Sequence, residues 1–186
     1  MDETAVVDRA RGGDAAAFEL LVRRHTDAVW RLARSSLGDA HAAEDATQET
    51  FLKAYRSLGS FRGDAAVRTW LLSICHRTCL DVHRRAGAAT QVVSLDEDRH
   101  ARTRADSIEL RLTIDHTVSR LPDNERIAFT LVDMLGHSSE DAAAVVGVPA
   151  STMRSRVGRA RRQVIEAIRD DETKETGAAG TSTEER

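Results

Sequence analysis

The sequence predicts an all-α protein in which a flexible linker joins two small helical domains, and three observations support this prediction. Apolar residues recur at spacings of three and four along most of the chain, as they do on one face of a helix. Only two prolines and one tyrosine occur among 186 residues, whereas alanine, leucine, arginine and glutamate abound. Residues 86–107 are polar, small and without periodicity, so we expect them to form the linker.

The first block, residues 1–85, is predicted to contain four helices. The first two form a pair with a break near His25, Thr26 and Asp27, and the third and fourth span about 42–58 and 66–85. Two glycines between residues 59 and 64 indicate a loop. The third helix has a predicted inner stripe of Ala43, Ala46, Thr47, Thr50, Phe51 and Ala54, and the fourth has one of Val67, Leu71, Ile74, Thr78 and Val82.

The second block, residues 108–169, begins with two predicted helices. Leu121 and Pro122 separate them, and Asp123 is expected to cap the second one. Apolar residues at helical spacing mark the two helices: Leu110, Leu112, Ile114 and Val118 in the first, and Ile127, Ala128, Leu131 and Val132 in the second.

The rest of the second block has the pattern of a helix-turn-helix. Ser138 can cap a short helix, and Asp141 three residues later completes a capping-box pattern. Gly147 suits the left-handed residue that ends a helix, and Pro149 suits the entry of the next. The sequence therefore predicts two helices joined by a tight turn.

The second helix of this motif is amphipathic and strongly basic. Residues 149–169 contain six arginines and one acidic residue, Glu166, in a chain whose net charge is −3. The predicted inner stripe is Met153, Val157, Ala160, Val164 and Ile168, and the opposite face carries Ser151, Ser155, Arg159 and Arg162, flanked by Arg154 and Arg156. Such a front suits the major groove of DNA, although an ordinary solvated surface helix has a similar pattern.

Charge and composition also bear on the ends of the chain and on its location. Residues 170–186 carry six acids against Lys174 and Arg186, and we expect a disordered acidic tail. No apolar run is long enough to span a membrane, and the acidic start is unlike a signal peptide, so the expected location is the cytoplasm, without membrane insertion. Cys75 and Cys79, four apart on one predicted helix, are expected to be reduced thiols.

Two surfaces of the first block could bind partners. Asp45, Gln48, Glu49 and Lys53 are three or four residues apart, which indicates either a solvated face or a docking face for a polar helix. The loop after residue 60 and the fourth helix combine Trp70 with basic groups, including His76, Arg77, His83 and Arg84. Cations beside an aromatic ring suit single-stranded nucleic acid, whereas Trp70 by itself is more typical of a core residue.

Enzymatic chemistry is not expected. His76, Cys79 and His83 have spacings that a metal could use on a helix, but the sequence offers no evident fourth ligand. The chain has no phosphate-binding glycine loop, no nucleophile elbow and no carboxylate pair with an evident pocket. We therefore predict no catalytic residues, metal, cofactor or small-molecule substrate.

Three stretches resemble the extracytoplasmic-function sigma factors, the small two-domain promoter-recognition subunits of bacterial RNA polymerase. The first is AEDATQETF at 43–51 with KAY at 53–55. The second is FRGD at 61–64 with RTWL at 68–71, and the third is GVP at 147–149 with Thr152, RSR at 154–156 and RAR at 159–161. The three stretches occur in the order of the family, and the resemblance extends over about residues 5–168.

The resemblance implies a role for each surface. The implied contact with the polymerase β′ clamp helices is Asp45, Gln48, Glu49, Phe51 and Lys53. The implied reader of the melted −10 element is Arg62, Gly63, Asp64, Arg68, Trp70, His76, Arg77 and Arg84. The implied reader of the −35 element is Ser151, Thr152, Arg154, Ser155, Arg156, Arg159 and Arg162.

The resemblance also implies partners and a function. The expected partners are core RNA polymerase (its β′ and β subunits), promoter DNA and an anti-sigma factor. The expected function is promoter recognition, DNA melting and transcription initiation. The alternative is a helix-turn-helix regulator that binds DNA without joining polymerase, which would normally need a symmetric dimer.

Overall fold

The computed structural model describes residues 2–63, 65–88, 114 and 116–180, with the backbone alone for 87–88 and 170–180. Within these ranges the chain is helical, apart from turns and loops, and this confirms the predicted fold class. No helix in this part of the chain is long and apolar enough to cross a membrane. The helices are α1 (Glu3–Arg11), α2 (Ala15–Leu37), α3 (Ala40–Ser57), α4 (Val67–Ala88), α5 (116–120), α6 (Asp123–Phe129), α7 (Ser139–Val146) and α8 (Ala150–Gly180).

Three helices of the first group (α1–α4), namely α1, α2 and α3, begin after aspartates whose carboxylates accept backbone N–H groups. Asp14 Oδ1 accepts from Ala17 at 3.1 Å, and Asp39 Oδ1 accepts from Ala42 at 2.7 Å. Gly38 ends α2 in the left-handed conformation, with φ 75°. Because α3 starts two residues later, the chain reverses sharply and α3 packs against α2.

The predicted break near residues 25–27 is wrong, because α2 runs unbroken through them. His25 is buried, and its Nε2 lies 3.0 Å from Glu3 Oε1. Thr26 Oγ1 donates to the Val22 carbonyl, and Asp27 pairs with Arg31 one turn later. Each polar side chain that suggested a break therefore has a partner that is compatible with the helix.

The core of the first group lies between α2, α3 and α4. Leu32, Leu71 and Leu72 are among its largest fully buried side chains. All six residues of the predicted α3 stripe are buried, and so are four of the five in α4, with Val82 half-buried. Helical spacing therefore identified the inner faces of both helices.

The second group, α5–α8, contains the predicted helix-turn-helix. Ser138 Oγ accepts from the Asp141 N–H at 3.0 Å, and Gly147 ends α7 with φ 72°. Asp123 is not the cap that was predicted: Pro122 is the N-cap residue of α6, and Asp123 instead accepts a hydrogen bond from Arg126 at 2.6 Å. A π-helical turn, Thr130–Met134, follows α6.

The predicted linker and tail are only partly described. Residues 86–88 continue α4, and residues 89–107 lie outside the described residues. The sequence predicts disorder from residue 170, whereas α8 continues to Gly180. Residues 170–180 contain no proline that would end a helix, and residues 181–186 lie outside the described residues.

The two groups pack against each other, which the sequence analysis did not anticipate. One apolar core runs through both, from α2 and α4 to Ile127, Leu131 and Ala143. Ser35 Oγ of α2 lies 2.8 Å from Thr130 Oγ1, and Arg126 Nε donates to the Ser35 carbonyl. The joint therefore combines apolar contact with a small set of specific hydrogen bonds.

Both cysteines are buried and free, as expected. Cys75 Sγ donates to the Val29 carbonyl at 3.5 Å. The Cys79 thiol and burial raise the pKa of Cys75, so that Cys75 stays a neutral thiol. The pair therefore serves as small apolar filling between α4 and α2.

Alanine substitutions at two glycines of the helix-turn-helix should change stability in opposite directions. Gly147→Ala should lower the free energy of unfolding by about 1–2 kcal/mol, because an added Cβ disfavours its φ of 72° although no atom lies within 4 Å of it. Gly158→Ala, inside α8 where an added Cβ likewise has no atom within 4 Å, should raise the free energy of unfolding by about 0.5–1 kcal/mol. Urea denaturation measures both, and equal effects would contradict this assignment of the turn.

Candidate nucleic-acid interface

The N-terminal part of α8 separates an apolar face from a polar one. Met153, Val157, Ala160 and Val164 are buried, and Ile168 is half-buried. The opposite face carries the exposed residues Ser151, Arg154, Ser155, Arg159 and Arg162, with Thr152 and Arg156 half-buried. The spacing therefore placed the two faces correctly, and the exposed one has the shape and charge that a DNA groove accepts.

The arginines of α8 differ in how firmly they are held. Arg154 pairs with Glu140 at 2.7 Å, and both side chains are more than half exposed. Arg159 Nε donates to Glu125 Oε1 at 2.6 Å, and its Nη1 donates to Ser155 Oγ at 2.7 Å. Arg159 is thus fixed through a carboxylate that sequence reasoning missed, since Glu125 is 34 positions away and lies on α6.

A surface cleft of about 280 Å³ lies where the loop before α4 meets α4 itself. Trp70 lines it, and its ring centroid is 4.8 Å from that of Phe61. Arg77 also lines it and donates to Ser73 Oγ at 3.2 Å. The lining residues are Ser60, Phe61, Arg62, Ala65, Thr69, Trp70, Ser73, Arg77 and, from α7 of the second group, Ala144.

The structure brings only some of the sequence candidates to this cleft. Arg62, Trp70 and Arg77 line it together, and Gly63 lies beside Arg62 on the exposed loop. Arg68 is half-buried and does not line the cleft, and Arg84 is exposed and paired with Asp81. Asp64 lies outside the described residues.

Two histidines lie where the groups meet, and burial lowers the pKa of each. For His76 on α4, the positive charges of Arg156 on α8 and of Arg77 lower the pKa further. For His137, before α7, Arg68 of α4 adds to the lowering and Asp141 opposes it. His76 Nδ1 and His137 Nε2 are buried without a hydrogen-bond partner among the residues described. Protonation would therefore add charge to a joint that already holds arginines.

The exposed face of α3 is more apolar than the sequence analysis expected. Asp45 and Gln48 are exposed, Glu49 is half-buried and Phe51 is buried. The ammonium group of the candidate Lys53 contacts side chains of the first helical group. Its Nζ lies 3.2 Å from Thr78 Oγ1, 3.5 Å from Asp81 Oδ2 and 3.7 Å from Glu49 Oε1. Leu52 and Tyr55, which were not among the candidates by spacing, are 51% and 55% exposed.

Cys79 and His83, whose spacing with His76 could suit a metal ion on a helix, have other surroundings in the structure. His83 Nε2 lies 3.2 Å from the Ser36 carbonyl, and Cys79 is buried. Wherever side chains are described, no three histidine, cysteine, aspartate or glutamate residues are grouped so that they could hold a metal ion.

Two family models match the chain, one over most of the first helical group and one over most of the second. The model of sigma-70 region 2 matches residues 21–89, and that of sigma-70 region 4 matches residues 111–164.

Sequence relatives match over most of the chain. It is 40% identical over 152 residues to the ECF RNA polymerase sigma factor SigM of Mycobacterium tuberculosis, covering 82% of this chain and 77% of SigM. It is 37% identical over 177 residues to the RNA polymerase sigma-H factor of Pseudomonas aeruginosa, covering 88% and 92%. It is 34% identical over 183 residues to the ECF RNA polymerase sigma-E factor of Salmonella typhimurium, covering 88% and 93%.

Solved structures match the fold as well. CnrH in complex with the cytosolic domain of CnrY is similar with a TM-score of 0.67 and 28% identity, covering 90% of this chain and 97% of CnrH. The sigma factor RpoE in complex with the anti-sigma factor NepR, from Bartonella quintana, is similar with a TM-score of 0.67 and 25% identity, covering 82% and 96%.

Acid should destabilise the folded protein through the histidines at the joint. The unfolded chain protonates its histidines below about pH 6.5, whereas burial keeps His76 and His137 neutral in the folded protein to a lower pH. The free energy of unfolding should therefore be fully retained above pH 6.5 and fall as the pH drops below it. His76→Gln with His137→Gln should flatten this fall in urea denaturation. The exposed His41→Gln is the matched control, and an unchanged slope in the double variant would contradict the assignment.

Proposed function

The chain belongs to the extracytoplasmic-function sigma factors of RNA polymerase, and we propose a division of labour among its surfaces that follows from this membership. As a sigma factor it is a non-enzymatic polymerase subunit that acts in transcription initiation. Two separate candidate DNA surfaces support this proposal. The cleft at Trp70 lies on region 2, and the exposed face of α8 lies on region 4.

The exposed face of α3 is the proposed contact with the β′ clamp helices. Asp45 and Gln48 offer polar groups at its N-terminal end, and Leu52 and Tyr55 offer apolar area. Exposed aromatic and aliphatic side chains beside charges are typical of a protein interface. Phe51 and Lys53 act from within: Phe51 packs in the core, and Lys53 ties α3 to α4.

The polar face of α8 is the proposed reader of the −35 element, through Ser151, Thr152, Arg154, Ser155, Arg156, Arg159 and Arg162. Arginines can bind guanine through paired hydrogen bonds in the major groove, each good pair giving about 1–3 kcal/mol of discrimination. One short helix supplies few such pairs, so we expect weak DNA binding by the free protein and selective binding when the chain is held on polymerase.

The cleft at Trp70 is the proposed site for an unstacked base of the −10 element. Phe61 and Trp70 provide aromatic surface, and Arg62 and Arg77 provide charge for the phosphates. Arg68, His76 and Arg84 lie around this site rather than in it, and Gly63 gives the loop its turn, with φ 79°.

Both proposed DNA surfaces border the joint between the two groups. Ala144 of the second group forms part of the cleft wall, and Arg156 of the α8 face lies within electrostatic reach of His76. A DNA strand that enters the cleft would compete with α7 for this space. We therefore propose that the groups separate when the protein joins polymerase and promoter.

An anti-sigma factor is the proposed regulator, and the cytoplasm the proposed place of action. The likeness to RpoE bound to the anti-sigma factor NepR supports this, because that structure covers 82% of the chain. The proposed contacts with the β′ and β subunits of polymerase follow from membership of the family.

Charge reversal on α3 should separate polymerase binding from DNA binding. Asp45→Lys should weaken binding to core polymerase about tenfold and lower run-off transcription to match, because it puts a cation on the proposed docking face. Glu166→Lys, also an exposed acid but on α8, is the matched control for core binding. DNA binding by the free protein should not weaken in Asp45→Lys. Unchanged core binding would contradict the placement of the polymerase-binding surface on α3.

A covalent link across the joint should block transcription. The Ser35 and Thr130 hydroxyl oxygens are 2.8 Å apart, so cysteines at both positions are close enough to form a disulfide. The oxidised double variant should lose most run-off transcription with core polymerase, and reduction should restore it. Each single cysteine variant, oxidised in the same way, should remain active. Full activity of the oxidised double variant would show that the groups need not separate.

A further inference from the structure

Glu125 is a buried carboxylate whose two oxygens hold two side chains of α8. Its side chain is only 10% exposed. Oε1 accepts from Arg159 Nε at 2.6 Å, and Oε2 accepts from Gln163 Nε2 at 2.7 Å. Arg159 and Gln163 are one helical turn apart, so a single carboxylate on α6 spans a turn of α8.

These contacts determine how the Arg159 guanidinium can be used. Arg159 Nε donates a hydrogen bond to Glu125, and Arg159 Nη1 donates one at 2.7 Å to Ser155 Oγ, which lies one turn earlier on α8. Two hydrogen bonds at different nitrogens fix the plane of the guanidinium. Its remaining N–H donors lie on the Nη side, which is the edge that a bidentate contact to guanine can use.

Arg154 has a different environment on the same exposed face. Its partner Glu140 is 66% exposed, and Arg154 itself is 57% exposed. Exposed ion pairs of this kind hold their side chains weakly, because water screens the charges and both chains keep rotational freedom. Arg159, whose partner carboxylate is removed from water, is held more firmly.

We propose that Glu125 is a positioning residue for promoter recognition: it holds Arg159 in the orientation that reads one base pair of the −35 element. This inference rests on the proposed role of α8 and deepens it. A fixed guanidinium loses little freedom when it meets its base, so the interaction with the correct base is stronger relative to the incorrect ones.

The proposal predicts changed selectivity at one position rather than general loss of DNA binding. The measurement uses the full chain assembled with core polymerase and a library of promoter fragments randomised across the −35 region. Selected fragments are sequenced to give the base preference at each position. Arg159→Ala should lower the preference at one base pair about tenfold, which identifies the position that Arg159 reads.

Glu125→Leu, which removes both acceptor oxygens, should lower the preference at that same base pair several-fold and leave the other positions unchanged. Glu125→Gln, which keeps an acceptor for Arg159, should retain part of the preference. In the Arg159→Ala background neither change should lower it further, because Glu125 then has no arginine to orient. Glu140→Gln, at the exposed pair, is the matched control and should leave this position unchanged.

The outcomes separate this proposal from the one on which it rests. If Arg159→Ala alters no preference, the proposed reading role of Arg159 fails, and the positioning role fails with it. If Arg159→Ala does alter one and Glu125→Leu and Glu125→Gln do not, only the positioning role is overturned. Equal effects of the Glu125 variants with and without Arg159 would likewise overturn it, since they would show a structural effect on α6. Should Glu125→Leu fail to fold, Glu125→Gln supplies the same comparison.

Discussion

The burial of one face of α4 is the constraint on which the rest of the structure depends. Leu71, Leu72 and Cys75 are almost completely buried against α2 and α3, which fixes the rotation of α4 about its own axis. That rotation places Trp70 and Arg77 in the surface cleft, and it presents the α4 surface that packs against α7. The first group, the cleft and the joint therefore share a single determinant, and a change in the packing of α4 would affect all three.

Helical faces and helix ends were predictable from the sequence because they depend on neighbours along the chain. The buried α3 stripe, the Ser138 cap and the left-handed Gly147 all follow local rules. The same rules failed at residues 25–27 because the partner of His25, Glu3, lies in another helix. The capping prediction for Asp123 is wrong although its partner is local: its carboxylate accepts from Arg126, three residues later on α6, and Arg126 in turn donates to the Ser35 carbonyl of the first group.

The family motifs predicted which surfaces bind partners, but they did not predict which side chains on those surfaces are exposed and which are buried or paired. Phe51 and Lys53 belong to the motif of the α3 surface, yet one is buried and the other binds within the group. Leu52 and Tyr55 were identified as exposed only once the helices were packed. Glu125 gave no signal in the sequence, because its link to Arg159 crosses between helices. Contacts over long separations of this kind determine which groups of a predicted surface can meet a ligand.

The hydroxyl pair between Ser35 and Thr130 bears on how quickly the two groups could part. Two neutral hydroxyls can each exchange their mutual hydrogen bond for one to water, so the net contribution of the pair to stability is only about 0.5–1.5 kcal/mol. A contact of this kind selects one relative orientation without adding a high barrier to leaving it. Parting the groups also breaks the Arg126–Ser35 hydrogen bond and exposes the apolar core that both groups share, so this burial, and not the hydroxyl pair, sets how readily they separate. A partner that covers the newly exposed apolar surface would favour the separated arrangement.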